Sequence, residues 1–295
     1  MYNWDDLRVF LAVARHHSYQ SASDFLGLDP TTIARRIDRL ESALKCTLLT
    51  RGPGGQTLTA TGKRLLEAAS QVEMANELVA DGVGTAANAG RVRLSTSEGF
   101  GGTILSPAVP ELTAQRPPVE IEIVANPGFL SPAIREVDIA ITLGAPQDKR
   151  LVVERLTDYR LRLYAADSYL TAHGAPRTVA DLRSHTLVGY IDDLLYANEL
   201  RYLDEIHPDL KPSVSSSSIH AQMEIVRAGG GIAVLPCFMA DLAEPRLIRV
   251  LPDTAITRTF WISARRDVQQ TQRVRRVRNW VRETVARQKA LILSD

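Results

Sequence analysis

Residues 19–41 form two short helical patterns separated by a tight turn, and this arrangement restricts what the first part of the chain can fold into. Residues 21–26 predict the first helix, and Gly27 ends it. Asp29 and Pro30 suit the start of the second helix, because the carboxylate can accept an unpaired backbone N–H and proline has none to lose. The apolar side of the first helix is predicted to be Ala22, Phe25 and Leu26.

The second helix has one apolar and one basic side. Spacings of three and four residues place Ile33, Ile37, Leu40 and Leu44 on a buried stripe, and the opposite face carries Thr32, Arg35, Arg36 and Arg39. Residues 31–66 contain seven basic and two acidic residues, a local net charge of +5, whereas the whole chain has 35 Lys and Arg against 34 Asp and Glu. A concentrated basic face can pair with phosphates, although one such helix by itself is more often a solvated surface.

The neighbouring segments favour a DNA-reading domain. A helix from about Trp4 to Ala14 can pack on the pair through apolar positions spaced by three and four residues. Residues 48–58, with a glycine-rich turn at 52–55, predict a two-stranded hairpin, the wing of a winged helix-turn-helix. Arg51 on that hairpin would lie close to backbone phosphates.

These residues resemble the LysR-type transcriptional regulators. Four fragments carry the resemblance in the correct order and spacing: Leu7-Arg8-Val9-Phe10, residues 18–23, residues 34–41 and Leu58-Thr59-Ala60-Thr61-Gly62. The sequence departs from the family pattern at Asp29, Lys45 and Leu49, where glutamine, glycine and phenylalanine are usual. Asp29 places an anion near the DNA and leaves base preference open.

The resemblance implies a winged helix-turn-helix domain over residues 1–58 that binds double-stranded promoter DNA. The residues expected at that interface are Ser21, Asp29, Pro30, Thr31, Thr32, Arg35, Arg36, Arg39 and Arg51.

Thr59 can cap a long helix that runs to about Ala80, before Gly82, Gly84 and Gly90. Its apolar positions, which suit packing on another helix, are Leu65, Leu66, Ala69, Val72, Leu78 and Val79. The alternative is a helix folded back on its own domain. The resemblance makes residues 59–90 a linker and dimerisation helix with a hinge, and implies a homodimer, assembly into a tetramer as a dimer of dimers, and contact with RNA polymerase.

From Arg91 the pattern is that of an α/β domain. A helix around Ile104 to Ala114 between two strands predicts a βαβ unit and therefore a parallel sheet. The predicted strands are 92–95, 119–124, 137–143, 161–165, 186–190, 232–235 and 260–264. This region resembles the LysR effector-binding domain, two α/β subdomains of periplasmic-binding-protein type. The expected boundaries are about 91–162 with 265–295 for subdomain I and about 163–264 for subdomain II.

Two strand-to-helix junctions, Ser95–Gly102 and Ser215–His220, are expected to line a cleft for a small-molecule effector, because helix N-termini present free N–H groups. The candidate effector residues are Thr96, Ser97, Glu98, Phe100, Thr142, Ser217, Ser218 and His220. If Glu98 faces the cleft, a ligand with an amino or other cationic group is favoured over an organic acid. If it only complements its own helix terminus, that inference lapses.

The C-terminal helix, about Gln272 to Lys289, combines a valine stripe with several arginines. A second DNA contact or a membrane-surface helix is conceivable. The preferred interpretation is that the stripe and Trp280 pack on subdomain I while the arginines face solvent.

Other functional classes fit less well. Cys46 and Cys237 lack the spacing of a metal site, and no cofactor, metal or catalytic site is indicated. The chain begins without a secretion signal and contains no long apolar run, so a cytoplasmic protein without a membrane partner is expected. A solute-binding protein would carry a signal peptide, and it would have no use for residues 1–90. An enzyme would need a convergent nucleophile and base, and the six histidines show no catalytic spacing.

Overall fold

In the computed structural model the chain forms two compact units, Met1–Ala87 and Asn88–Asp295. The structure describes residues 2–52, 55–83, 90–116, 118–125, 131–134 and 136–294, with backbone alone for 74–83 and 134. No helix within these ranges is long and apolar enough to cross a membrane.

The first unit is a three-helix cluster followed by a hairpin and a long helix. Its elements are α1 (Trp4–His16), α2 (Tyr19–Leu26), α3 (Pro30–Leu44), β1 (Leu49–Gly52), β2 (Gly55–Leu58) and α4 (Ala60–Val83). Gly27 ends α2 in the left-handed region at φ +65°, a conformation that costs glycine little. The predicted helix-turn-helix and wing are confirmed.

The core of the first unit is the apolar stripe of each helix. Phe10, Ile33, Ile37 and Leu40 are fully buried together, as the spacing on α1 and α3 predicts. The expected burial of Phe25 is wrong: its side chain is 50% exposed, and its ring lies 4.8 Å from that of His16. The helix is only two turns long, and Ala22 supplies its fully buried contact.

The start of α4 explains the glycine of the Leu58–Gly62 fragment. The backbone N–H of Gly62 donates to Thr59 Oγ1 over 2.9 Å, which confirms the predicted cap. A Cβ on Gly62 would lie 2.1 Å from the carbonyl oxygen of Leu48, so a larger residue cannot fit without moving the backbone. The helix continues through Gly82 to Val83. Gly84 and the side chains of Leu78 and Val79 lie outside the described residues.

The second unit is built on one mixed sheet. Its strands are β3 (Arg91–Ser95), β4 (Glu120–Val124), β5 (Ile139–Thr142), β6 (Leu151–Ala165), β7 (Leu187–Gly189), β8 (Val214–Ser215), β9 (Ile232–Pro236) and β10 (Ile248–Arg265). Their order across the sheet is β4-β3-β5-β10-β6-β9-β7-β8. Its α-helices are α5 (Glu98–Phe100), α6 (Val109–Thr113), α7 (Asp167–His173), α8 (Tyr202–Ile206), α9 (Ile219–Arg227), α10 (Cys237–Ala240), α11 (Gln272–Arg287) and α12 (Lys289–Ile292).

Two long antiparallel strands, β6 and β10, lie in the middle of this sheet, between a first half formed by β3, β4 and β5 and a second half formed by β7, β8 and β9. β10 pairs with β6 along nearly its whole length, with β5 at its C-terminal end, and β6 in turn pairs with β9. β3 and β4 are parallel, as the βαβ pattern predicts, and helical structure runs from Glu98 to Thr113 between them. The sequence predicted only the last part of β6 and of β10. Their earlier parts include charged positions such as Glu154 and Arg258, which weaken the apolar signal.

Helix α11 packs on the first half of the unit through its valine stripe. Val274, Val277 and Val281 are fully buried, and the indole N–H of Trp280 donates to the carbonyl of Ala108 over 3.2 Å. The expectation that the arginines face solvent is wrong for Arg278, which is buried and donates to Glu154 Oε1 over 2.6 Å. Burial of a guanidinium is costly unless a carboxylate pairs with it. The carboxylate here, Glu154, lies on β6, far from Arg278 in sequence.

Candidate functional site

The N-terminus of α3 is held by Asp29. Its Oδ1 accepts the backbone N–H of Thr32 over 2.8 Å, and the hydroxyls of Thr31 and Thr32 also donate to the carboxylate. These hydrogen bonds, that of Thr31 foremost, hold the pKa of Asp29 well below its usual range. The predicted N-cap is therefore confirmed, and the carboxylate is engaged with its own helix.

The outward face of α3 and the wing present cationic groups to solvent. Arg35 on α3 and Arg51 on β1 are exposed, and neither forms an ion pair with any residue in the described ranges. Ser21 on α2 is exposed too, and its hydroxyl accepts a hydrogen bond from Ser18. Unpaired guanidinium groups on a helix surface are available to phosphates and to base edges.

Two other arginines of α3 face acidic residues of α1. Arg39 Nε donates to Asp6 Oδ2 over 2.6 Å, and a second guanidinium nitrogen bonds the other carboxylate oxygen. Asp6 is 2% exposed, whereas Arg39 remains 58% exposed. Arg36 lies 3.9 Å from Asp5. Arg39 thus fastens α3 to α1 as well as facing outward, a contact that the sequence pattern did not predict.

A cleft opens between the two halves of the second unit, where several strands end. The space between its walls, counting the part open to solvent, is about 460 Å³. Ser97, Glu98 and Phe100 line it from the first half, and Ser217 and Ile219 line it from the second. The two predicted junctions therefore do converge on one cavity.

Glu98 bridges the cleft. Its Oε2 accepts the backbone N–H of Ile219, the first residue of α9, over 3.0 Å, and its Oε1 accepts the hydroxyl of Ser218 over 2.8 Å. His220 Nδ1 lies 3.3 Å from the same Oε1. Glu98 therefore faces the cleft, which is the first of the two alternatives, and it also complements the N-terminus of α9, a helix about 120 residues further along the chain.

The floor of the cleft is aromatic. The rings of Tyr159 and Phe260, from the two long strands, stack with centroids 4.2 Å apart, and Phe100 lies 4.3 Å from Phe260. Tyr190, Tyr196, Tyr202 and Phe238 complete the aromatic lining. The hydroxyl of Tyr159 is buried beside that of Tyr202, and burial, followed by the effect of Tyr202, raises the pKa of Tyr159 well above its usual value.

The charge of the cleft follows from the protonation of its tyrosines and from Glu98. Burial and then the Glu98 carboxylate raise the pKa of Tyr196 to about 12, and burial raises the pKa of Tyr190 well above its usual value. The tyrosines are therefore neutral at physiological pH. Of the described residues that line the cavity, Glu98 alone has a charged side chain.

Two of the other predicted effector residues, Thr96 and Thr142, are not among the residues that line the cavity. Thr96 is fully buried, its hydroxyl has no hydrogen-bond partner among the described residues, and it does not line the cavity. Thr142 donates to the carbonyl of Gly144 over 2.7 Å, and its neighbour Leu143 is the one that reaches the cavity. The four tyrosines were missed by the sequence reasoning. The sequence does contain an indication of three of them, because Tyr190, Tyr196 and Tyr202 lie close together in the segment that follows β7.

A second cavity of about 420 Å³ lies within the second half of the sheet, lined by Tyr190, Arg201, Lys211 and Gln222 among others. It draws on no residue of the first half. The cleft is the stronger candidate because both halves and a helix N-terminus converge there.

Comparison with known proteins agrees with this geometry. Residues 4–63 match the model of the bacterial regulatory helix-turn-helix protein, lysR family, and residues 85–286 match the LysR substrate binding domain. The chain is 28% identical over 288 residues to the Mau operon transcriptional activator of Paracoccus denitrificans, covering 96% of this chain and 97% of that protein.

Solved structures share the fold. ArgP from Mycobacterium tuberculosis superposes with a TM-score of 0.72 at 18% identity, covering 97% of this chain and 98% of that one. Full-length LysG from Corynebacterium glutamicum with bound effector Arg gives 0.64 at 19% identity, with the same coverage of each chain.

Proposed function

The chain belongs to the LysR family of transcriptional regulators, and from this premise we propose that α3 and the wing make its promoter contacts under the control of a small molecule bound in the cleft. The DNA contacts would come from the exposed polar and basic residues of α2, α3 and β1. Arg35 would be the principal one on α3, because it is exposed and forms no ion pair among the described residues, whereas Arg36 and Arg39 face acidic residues of α1. Asp29 would act chiefly as the cap that orients the start of α3.

The control step follows from the cleft joining two halves of one sheet. A ligand held between them would favour one packing of the subdomains, and a change in that packing would alter the assembly of the chains on DNA. We propose a homodimer built through α4, where Val72 is an exposed apolar residue, and a tetramer as a dimer of dimers. Contact with RNA polymerase and a cytoplasmic location belong to the same proposal. Catalysis has no part in it.

The observation that carries the proposal is that Arg35, on the outward face of a capped helix, is exposed and forms no ion pair within the part of the chain that the structure describes. Fluorescence anisotropy with the promoter fragment upstream of its own gene tests it. Arg35→Ala should weaken binding by roughly ten- to a hundredfold, the usual range for one lost base or phosphate contact.

Arg275→Ala is the matched control, because Arg275 is another exposed arginine on a helix, in the second unit. It should bind as the unaltered protein does. Equal binding by the two variants, or promoter binding no tighter than to random DNA at physiological salt, would count against the proposed interface.

A further inference from the structure

Glu98 occupies the position at which the cleft could hold an acidic ligand. The backbone N–H of Ile219 and the hydroxyl of Ser218 are the donors that an incoming carboxylate would use at the N-terminus of α9, and both already donate to Glu98. A second carboxylate there would be repelled by the first, and the described lining residues include no lysine or arginine to offset that repulsion.

The rest of the lining suits a positive charge. Seven aromatic rings surround the cavity, four of them tyrosines, and a cation over such rings is attracted to their faces. A carboxylate has about four acceptor positions, so Glu98 keeps capacity for another donor beside Ser218, Ile219 and His220.

We propose that the effector of this regulator is a small organic cation, an ammonium with a short apolar body, held by Glu98 and the tyrosines, and that Glu98 excludes organic acids from the cleft. The inference rests on the proposed function, since it names the ligand class of the same cleft. Glu98 acts here as counter-ion to the ligand and as a built-in occupant of the anion position on α9.

The test uses three probes with the same carbon chain and different charge: n-butylammonium, n-butanol and butyrate. Calorimetric titration of the full-length protein should show binding of n-butylammonium, roughly tenfold weaker binding of n-butanol and the weakest binding of butyrate. Glu98→Ala empties the N-terminus of α9, so the order should reverse, with butyrate gaining and n-butylammonium losing affinity. Loss of a purely structural residue would weaken all three alike.

Two further variants separate the effect of the Glu98 charge from a change in structure. Glu98→Gln keeps the side-chain shape and should lose roughly tenfold in affinity for n-butylammonium while n-butanol is unaffected. Glu224→Ala removes an equal charge from an exposed position of the same helix, where Glu224 pairs with Arg227, and should leave the order unchanged.

The outcomes separate the two proposals. Butyrate bound as tightly as n-butylammonium by the unaltered protein, no ammonium binding at all, or an unchanged order in Glu98→Ala would each overturn the cation assignment. Promoter binding is measured on the same preparations. If it persists, the regulator function stands although the ligand class is wrong, and if it is absent, the proposed function itself fails.

Discussion

The two units each place a carboxylate at a helix N-terminus, but from very different distances along the chain. Asp29 caps α3 from the residue immediately before it, with Thr31 and Thr32 as its donors. Glu98 reaches α9 from the opposite side of a cleft, about 120 residues earlier in sequence. The first contact shapes one helix, whereas the second joins two halves of a sheet.

The difference concerns what each contact can control. A local cap persists wherever its helix does, so Asp29 serves a rigid reading surface. A contact across a cleft is made or broken as the two sides move, so Glu98 can respond to a ligand. Long-range carboxylate contacts should therefore cost more to break, and change more when broken, than local ones.

Arg39→Ala should have the largest effect on stability. It leaves the carboxylate of Asp6, which is almost fully buried, without the guanidinium that satisfies both its oxygens. An unpaired buried charge is strongly destabilising, so the melting transition of the first unit should fall by several degrees. Thermal unfolding followed by circular dichroism measures this. Arg35→Ala, which breaks no ion pair in the described structure, serves as its control and should melt near the unaltered protein.

Glu98→Ala should have the second largest effect on stability. The N–H of Ile219 loses its acceptor, while Ser218 still accepts from Ala221 at the same helix start. The loss of one cap contact is worth about 1 kcal/mol. Amide hydrogen exchange should show faster exchange in α9 and around the cleft, with α3 unchanged. Unaltered protection of α9 would mean that the contact across the cleft contributes little to closure.

The sequence predicted contacts that lie within a few residues of each other. Asp29 before Pro30 predicts a helix cap, and the valine stripe of α11 predicts a buried helix face, because both patterns involve residues close together in sequence. The resemblance brought the junctions of Glu98 and Ile219 to one cleft, but the hydrogen bond between them was not predicted, and neither was the pairing of Arg278 with Glu154, since each depends on how distant strands come together. The tyrosines of the cleft were missed because they come from different elements of the sheet.

Asp29→Ala should have a smaller effect, confined to the first turn of α3. The N–H of Thr32 and both threonine hydroxyls lose their acceptor, so hydrogen exchange should rise at the start of α3. Asp29→Asn should restore protection, because asparagine caps helices about as well as aspartate. Promoter binding of the asparagine variant then decides a second question. Unchanged operator preference means that the carboxylate acts as a cap, and altered preference means that it also reads the DNA.

The smallest effect should be a pH dependence that belongs to Asp29. Hydrogen bonds from Thr31 and Thr32 lower its pKa in the folded state, so the ionised cap stabilises α3 above the ordinary aspartate pKa of about 3.9. As the pH falls through that value toward the lower folded pKa, the unfolded chain takes up the proton first and the stabilisation is lost. Asparagine cannot titrate. The difference in melting temperature between the unaltered protein and Asp29→Asn should therefore shift against the unaltered protein between about pH 5 and pH 3, and a constant difference over this range would show that the carboxylate charge adds nothing to the cap.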